Sequence, residues 1–305
     1  MREVLVRRLR IEMQESFDGF EDIMLKLLKL GREEDKKVMS SSRGVSVCFI
    51  IRNGIKNGYP FWESLTSCLP FADEVVISEG YSDDGTYEVV KRFADKNSGK
   101  VRLYQDNWDI VKSKHGEVIS YISMLNMRRC QYSWIYYLQA DEVIHEQNYS
   151  FLRLVADERL GNFNAVSFPF LHFIGSWEPL PSESPAYREA MRMARNSKAI
   201  YLLGDAWNFT GAVDPIFPAA RVPKPVYHFG WVFPKNIDLK NLSHAQIYSG
   251  LPEYQKKAQQ SQQNIVLGYA EKKGLPPPKE FKDFPAGTER LIGMFEYQLP
   301  PEAFE

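Results

Sequence analysis

Residues 45–51 read VSVCFII, an almost unbroken apolar run rich in β-branched side chains that stops abruptly at Arg52-Asn53-Gly54. Seven residues are short for a helix, and the lack of polar alternation predicts a strand covered on both faces. Strands of that kind belong to parallel sheets with helices packed on either side, so the sequence downstream should alternate strand and helix. It does. A short helix is expected over residues 61–69, and a second strand over residues 74–78 (EVVIS). Ser82, Asp83 and Asp84 follow, with oxygens suited to capping a helix whose apolar face is Tyr87, Val89, Val90 and Phe93. Residues 101–105 (VRLYQ) form a third strand, and Val118, Ile119, Ile122 and Leu125 share one helical face. Residues 134–140 (WIYYLQA) form a fourth strand that runs into Asp141-Glu142. The fold class is α/β, a mostly parallel central sheet flanked by helices.

The composition narrows the classes around this core. The 305 residues carry 38 Lys and Arg against 39 Asp and Glu, a formal charge of −1. That balance argues against a nucleic-acid-binding protein, which shows a basic excess or stripe. No apolar run approaches the ~20 residues of a membrane span, and residues 1–20 lack the apolar centre of a signal peptide, so a cytoplasmic protein is expected. Cys48, Cys68 and Cys130 have neither C-x-x-C nor zinc-ligand spacing and read as buried reduced thiols. The chain divides into an N-terminal helical extension and linker (1–43), a main domain (44–235) and a C-terminal helical and extended tail (236–305). In the first, Ile23, Met24, Leu27, Leu28 and Leu30 recur at helical spacing. In the last, a helix over 254–273 precedes a proline-rich extended stretch. The N-terminal helix could pack on the domain, and the terminal helices could form a homo-oligomer contact or touch a membrane surface; the C-terminal tail could also close over the active site.

Ligands of parallel sheets bind beyond the carboxyl ends of the strands. Three such ends are polar here: Arg52-Asn53-Gly54 after the first strand, Glu79-Gly80-Tyr81-Ser82-Asp83-Asp84 after the second, and Gln139-Ala140-Asp141-Glu142 after the fourth. Carboxylates dominate. Like charges about 5 Å apart repel by roughly 3 kcal/mol at an effective dielectric near 20, and a hard divalent cation would relieve this. Neither a G-x-x-x-x-G-K-[ST] nor a G-x-G-x-x-G sequence occurs at these turns, which argues against a P-loop enzyme or a dinucleotide oxidoreductase.

VSVCFIIRN, EVVISEGYSDDGT and YYLQADEVIHE, in this order and spacing, resemble the GT-A fold glycosyltransferases of family 2. FPFLHFIGSW, YREAMRMARN and YHFGWVF are similar to a bacterial branch of that family in which the D-x-D motif reads Q-A-D-E. The likeness spans residues 45–232 and implies a GT-A, Rossmann-like domain binding a nucleotide sugar, expected to be UDP-linked. It implies donor binding by Arg52, Asn53, Glu79, Gln139, Asp141 and Asn126. His115, ahead of the helix that ends with Asn126, reads as a cap or surface residue more than as a neighbour of the nucleotide. It implies a divalent cation, Mn²⁺ or Mg²⁺, on Asp141 and His228. Gln139 departs from the pattern: where the family has its first Asp, an amide can bond a ribose hydroxyl but carries no charge, so metal dependence is in question.

Glycosyl transfer then needs charge neutralisation at the leaving diphosphate, alignment of the anomeric carbon and a base for the acceptor hydroxyl. Asp205 and Glu142 are the base candidates, and the family implies a single displacement with inversion. Glu142 could instead orient Asp141 or cap a helix. Arg188, Arg192 and Arg195, spaced by four and three, would share one face of a helix and could bind the diphosphate or the acceptor, or form a solvated face. Trp177, Trp207 and Trp231 could stack on sugars or sit in the core. The acceptor, whether saccharide, lipid-linked or protein, stays open. A catalytically inactive nucleotide-sugar or glycan-binding protein is the alternative, favoured by Gln139, and a nucleotidyltransferase a more distant one.

Overall fold

A computed structural model describes residues 42–108, 117–157, 164–175, 177, 179, 188–197, 200–202, 204–211, 219–233, 235–236, 240, 283–294 and 296–305. Contacts divide the chain into two units, Met1–Ser41 with Ser197–Ala199, and Ser42–Asn196 with Ile200–Glu305; all elements below belong to the second. The helices expected within residues 1–41 and over 254–273 lie outside the described residues, as do His115, His244 and the proline-rich residues 274–282.

The four sequence-read strands are β1 (Ser42–Ile51), β2 (Glu74–Glu79), β3 (Val101–Gln105) and β4 (Tyr132–Gln139). Helices α1 (Phe61–Cys68), α2 (Thr86–Lys96) and α3 (Glu117–Met127) connect them. The chain continues through β5 (Glu142–Ile144), α4 (Tyr149–Ala156), β6 (Ala165–Ile174) and β7 (Glu189–Arg195). It then forms β8 (Ile200–Leu202), β9 (Phe209–Gly211), β10 (Ala219–Arg221) and β11 (Val226–Trp231). The main sheet runs β3-β2-β1-β4-β7-β6-β11-β5, with β10 also on β6, while β8 and β9 pair separately. Strands β3, β2, β1 and β4 are mutually parallel, as are β6 with β10 and β11; β7 and β5 are antiparallel to their neighbours. The architecture is α/β, as the strand–helix alternation requires.

Strand β1 shows why its sequence is apolar throughout. Val45, Val47, Phe49 and Ile51 face the largest core cluster, with Trp134, Tyr136 and Leu138 of β4 beside them. Cys48 faces the opposite cluster with Val76, Ile135 and Tyr137. Period-two alternation thus divides one strand between two cores, so neither face tolerates a polar run. All three cysteines are buried free thiols.

Two local readings are corrected. Residues 188–195 are not helical: Glu189–Arg195 is strand β7, wedged antiparallel between β4 and β6. Arg192 and Arg195 consequently do not share a solvated helical face. Arg192 is fully buried, and the Arg195 guanidinium lies 4.8 Å from the Trp134 ring centroid. The N-cap of α2 is Gly85, at φ 88°, rather than a capping side chain; Asp84 reaches over it and accepts from the Thr86 amide at 3.0 Å.

Residues 283–305 return to the domain. Leu291, Tyr297 and Ala303 are buried in the main core, and the Tyr297 hydroxyl donates to Glu63 of α1 at 3.0 Å. Among the described residues, no helix is long and apolar enough to cross a membrane.

Candidate functional site

The strand order places the site before any side chain is considered. From β1 the chain winds outward to β2 and β3, then crosses to the other side of β1 to lay down β4. The order reverses between β1 and β4, and such reversals open a crevice beyond the carboxyl ends of the strands. Ile50 pairs with Ser78 on one side and Gln139 on the other, and Ile51 pairs with Glu79. Arg52-Asn53, Glu79 and Gln139-Asp141 therefore leave the sheet at one level, across three adjacent strands, a span of about 10 Å.

The first two strand ends are stitched together by the polar loop 82–86. Ser82 Oγ accepts from the Asn53 amide at 2.8 Å, Thr86 Oγ1 from the Ile55 amide at 3.1 Å, and Asp84 Oδ2 from the Lys56 amide at 2.7 Å. Asn53, at φ 52°, in turn accepts at its Oδ1 from the Asp83 amide at 3.0 Å. Glu79 is fully buried and accepts from the Tyr81 and Ser82 amides at 3.0 and 2.7 Å and from Gln105 Nε2 at 3.0 Å. Gly80 is squeezed between the Arg52 side chain and the Trp108 indole, so a methyl there would overlap both. Tyr81, at φ 53°, is exposed at the rim.

Beyond β4, Gln139 is half-buried, with its Nε2 3.4 Å from the Tyr137 hydroxyl. Asp141 and His228, expected as a pair, do meet: Asp141 Oδ2 lies 3.5 Å from His228 Nε2. Register explains it, since β11 pairs with β5 and β6 so that His228 stands opposite both Glu142 and His172. The Nδ1 atoms of His172 and His228 are 3.1 Å apart, a contact in which one ring must donate and the other accept. A third group was not expected. Lys240 donates from Nζ to the same Asp141 Oδ2 at 2.9 Å and to the Gly230 carbonyl at 2.7 Å. Its ammonium is buried and 4.5 Å from the ring centroids of both Tyr59 and Trp231. Burial alone would raise the Asp141 pKa, but Lys240 and His228 outweigh it and hold the carboxyl far below the usual range. Burial also draws the Lys240 pKa down, with Asp141 opposing it.

This arrangement decides how well the residues fit a divalent ion. An ion on Asp141 Oδ2 would stand about 4 Å from the ammonium, a Coulomb repulsion of roughly 8 kcal/mol at an effective dielectric of 20. With Lys240 in place, Asp141 and His228 do not fit a divalent metal. Among the described residues, no group of three or more His, Cys, Asp or Glu is arranged to hold one.

Glu142 points away from this centre into the protein. It is fully buried and grips the equally buried Arg192, with Nε 3.0 Å from both carboxylate oxygens and Nη2 2.7 Å from Oε1. So enclosed and so paired, the Glu142 carboxylate is closed to solvent, which does not fit the base expected from the sequence. Arg192 Nη1 in turn donates to the Trp207 carbonyl at 2.8 Å, and Asn208 Oδ1 accepts from the Met191 amide at 2.9 Å. These bonds fasten the turn that carries half-buried Asp205 between Gly204 (φ 53°) and Ala206 (φ 62°), with Trp207 exposed beside it.

Asn126 is not presented to a ligand. It is fully buried in α3, and its Nδ2 donates to the Phe49 and Val76 carbonyls at 3.0 and 2.8 Å, tying β1 to β2. Trp177 is a core residue packed on Phe229, Phe233 and Phe284. Lys240 and His172 escaped the sequence reading; a lone Lys in NIDLKNLSHAQ carries no local sign of a partner 99 residues earlier.

No protein-family model matches the chain, and no curated protein sequence does. Among solved structures, S. aureus TarS 1–349 is similar at 14% identity and a TM-score of 0.39, covering 75% of this chain and 70% of that one. The same protein in complex with UDP-GlcNAc gives 13% and 0.38, covering 73% and 70%. The mannosyltransferase PcManGT from Pyrobaculum calidifontis, in complex with GDP-Man and Mn²⁺, gives 16% and 0.32, covering 48% and 44%. At these scores the likeness assigns neither an activity nor a ligand to this chain.

Proposed function

We propose that the protein is a glycosyltransferase that moves a sugar from a nucleotide donor, UDP-linked by the sequence resemblance, to an acceptor hydroxyl. The observation that carries this reading is the reversal of strand order between β1 and β4, with Arg52, Asn53 and Glu79 on one side and Gln139 and Asp141 on the other. In this reading the nucleoside lies over the ends of β1 and β2, and the Gln139 amide meets the ribose. Asp205 takes the proton of the acceptor hydroxyl as its oxygen forms a bond to the anomeric carbon, and the bond to the departing diphosphate breaks on the opposite face, with inversion. Glu142 acts through Arg192, holding the Asp205 turn at a fixed distance from the donor edge. No step is assigned to a divalent ion, because the Asp141 oxygen already carries an ammonium.

A second reading, a nucleotide-sugar-binding protein without turnover, is favoured by one observation: Gln139 and the neutralised Asp141 leave the edge poor in free negative charge. A nucleotide-release assay over a panel of UDP- and GDP-linked sugars, run beside calorimetric donor binding, separates the two. Release is expected from the wild type, falling by about 10²–10⁴-fold in Asp205→Asn while donor binding persists. Binding without release from any donor would replace the first reading with the second, and absence of both would remove both.

A further inference from the structure

Two ligand donors converge on a point at the end of β4. Around one ion with bonds of about 2.1 Å, neighbouring donor atoms stand roughly 3–3.5 Å apart, and Asp141 Oδ2 and His228 Nε2 are separated by 3.5 Å. The His172–His228 contact fixes the imidazole so that Nε2 faces the carboxylate. The Lys240 ammonium lies against that carboxylate oxygen, donating from Nζ to Asp141 Oδ2 at 2.9 Å and to the Gly230 carbonyl at 2.7 Å.

We propose that Lys240 is the resident cation of this centre, an ammonium built into the chain that occupies the seat a divalent ion would otherwise take on Asp141 and His228. The surroundings favour the ammonium over a metal. A hard divalent cation there would need water to complete its shell of oxygen ligands, whereas the ammonium is also held by the faces of Tyr59 and Trp231, each 4.5 Å away. Aromatic faces attract an organic cation and offer a metal no lone pair. Gly230 completes the fit, since any side chain there would overlap both the Asp141 carboxylate and the Lys240 ammonium. The inference stands on the contacts of Lys240 and does not depend on glycosyl transfer.

The test is Mn²⁺ uptake by the purified 305-residue chain, followed by electron paramagnetic resonance of the free ion, in wild type, Asp141→Asn, Lys240→Met and Lys240→Met/Asp141→Asn. Wild type should take up no Mn²⁺ that Asp141→Asn abolishes. Lys240→Met removes the charge but keeps much of the stem, and should bind Mn²⁺ about tenfold or more tighter than wild type, with a rise in Tm on adding the ion. The double variant should lose that gain. Saturable uptake by wild type that disappears in Asp141→Asn would overturn the proposal. So would a folded Lys240→Met, verified by circular dichroism, that binds no more Mn²⁺ than wild type. If Lys240→Met fails to fold, the wild type and Asp141→Asn decide alone. Because the readout is ion uptake, a donor assay that fails would leave this result standing.

Discussion

Glu142 and Arg192 show at the scale of single residues how this protein treats its acidic strand ends. The like-charge repulsion expected from the sequence is not met by one shared cation, since each carboxylate is answered separately: Glu79 by amides, Glu142 by Arg192, Asp141 by Lys240 and Asp106 by Arg129. Residue types and positions were legible, because carboxylates at strand ends stand out against apolar runs. Their partners were not, since each counter-charge arrives from another element and charge type alone names no partner. The buried Glu142–Arg192 pair makes a clear prediction. Arg192→Met strands an uncompensated carboxylate and should cost about 3–5 kcal/mol of stability in denaturant unfolding, while Glu142→Gln/Arg192→Met should recover most of it. Asp106 predicts a pH dependence. Burial would raise its pKa, but bonds from Arg129 and Ser78 overcome this and the net direction is down. The native state therefore binds fewer protons there than the unfolded chain. Its stabilising contribution is complete above the ordinary Asp pKa of about 3.9 and is lost as pH falls through the lower native value. Arg129→Met should accordingly flatten the fall in unfolding free energy below about pH 4.

Among the elements, β1 to β4 and α1 to α3 were readable because buried parallel strands are continuous apolar runs and their helices have one apolar face. Strand β7 was not. EAMRMAR is built from good helix formers, and its arginines fall at helical intervals. Pairing with β4 and β6 on either side overrides that preference, and extension is what carries Arg192 inward to Glu142. The loop 82–86 has its own consequence. Asp84 accepts from Lys56 and from Thr86, so one side chain pins the turn after β1 and opens α2. Asp84→Ala should cost about 1–2 kcal/mol. Hydrogen exchange should quicken at Lys56 and Thr86, whose amides lose their acceptor, with little change in the β1–β4 ladder. A loss confined to α2 would show that the loop caps the helix without holding the β1 end.

Seen as a whole, the described domain depends on residues far downstream of its parallel half. Residues 283–305 cover α1 and α2: Tyr297 and Arg290 contact Glu63, Asp283 Oδ1 lies 3.2 Å from His145 Nε2, and Arg92 donates to the Ala303 carbonyl at 3.2 Å. Deleting them should strip Glu63 of Tyr297 and Arg290 and uncover the Phe61 ring that meets Tyr297, giving a Tm at least about 5 °C lower or loss of the soluble protein. The contacts themselves were not legible in advance, because a segment without periodicity does not announce what it covers. Lys240 follows the same rule over a shorter reach. Asp141 and Lys240 are separated by 99 residues, and β1 to β4 precede both. At about 5–20 residues per second, the ribosome adds Lys240 roughly 5–20 s after Asp141. During that interval the nascent chain can lay down the β3-β2-β1-β4 frame while its central carboxylate still waits for a counter-ion. The Asp141 centre is thus completed only by a chain that has been made well past β1 to β4.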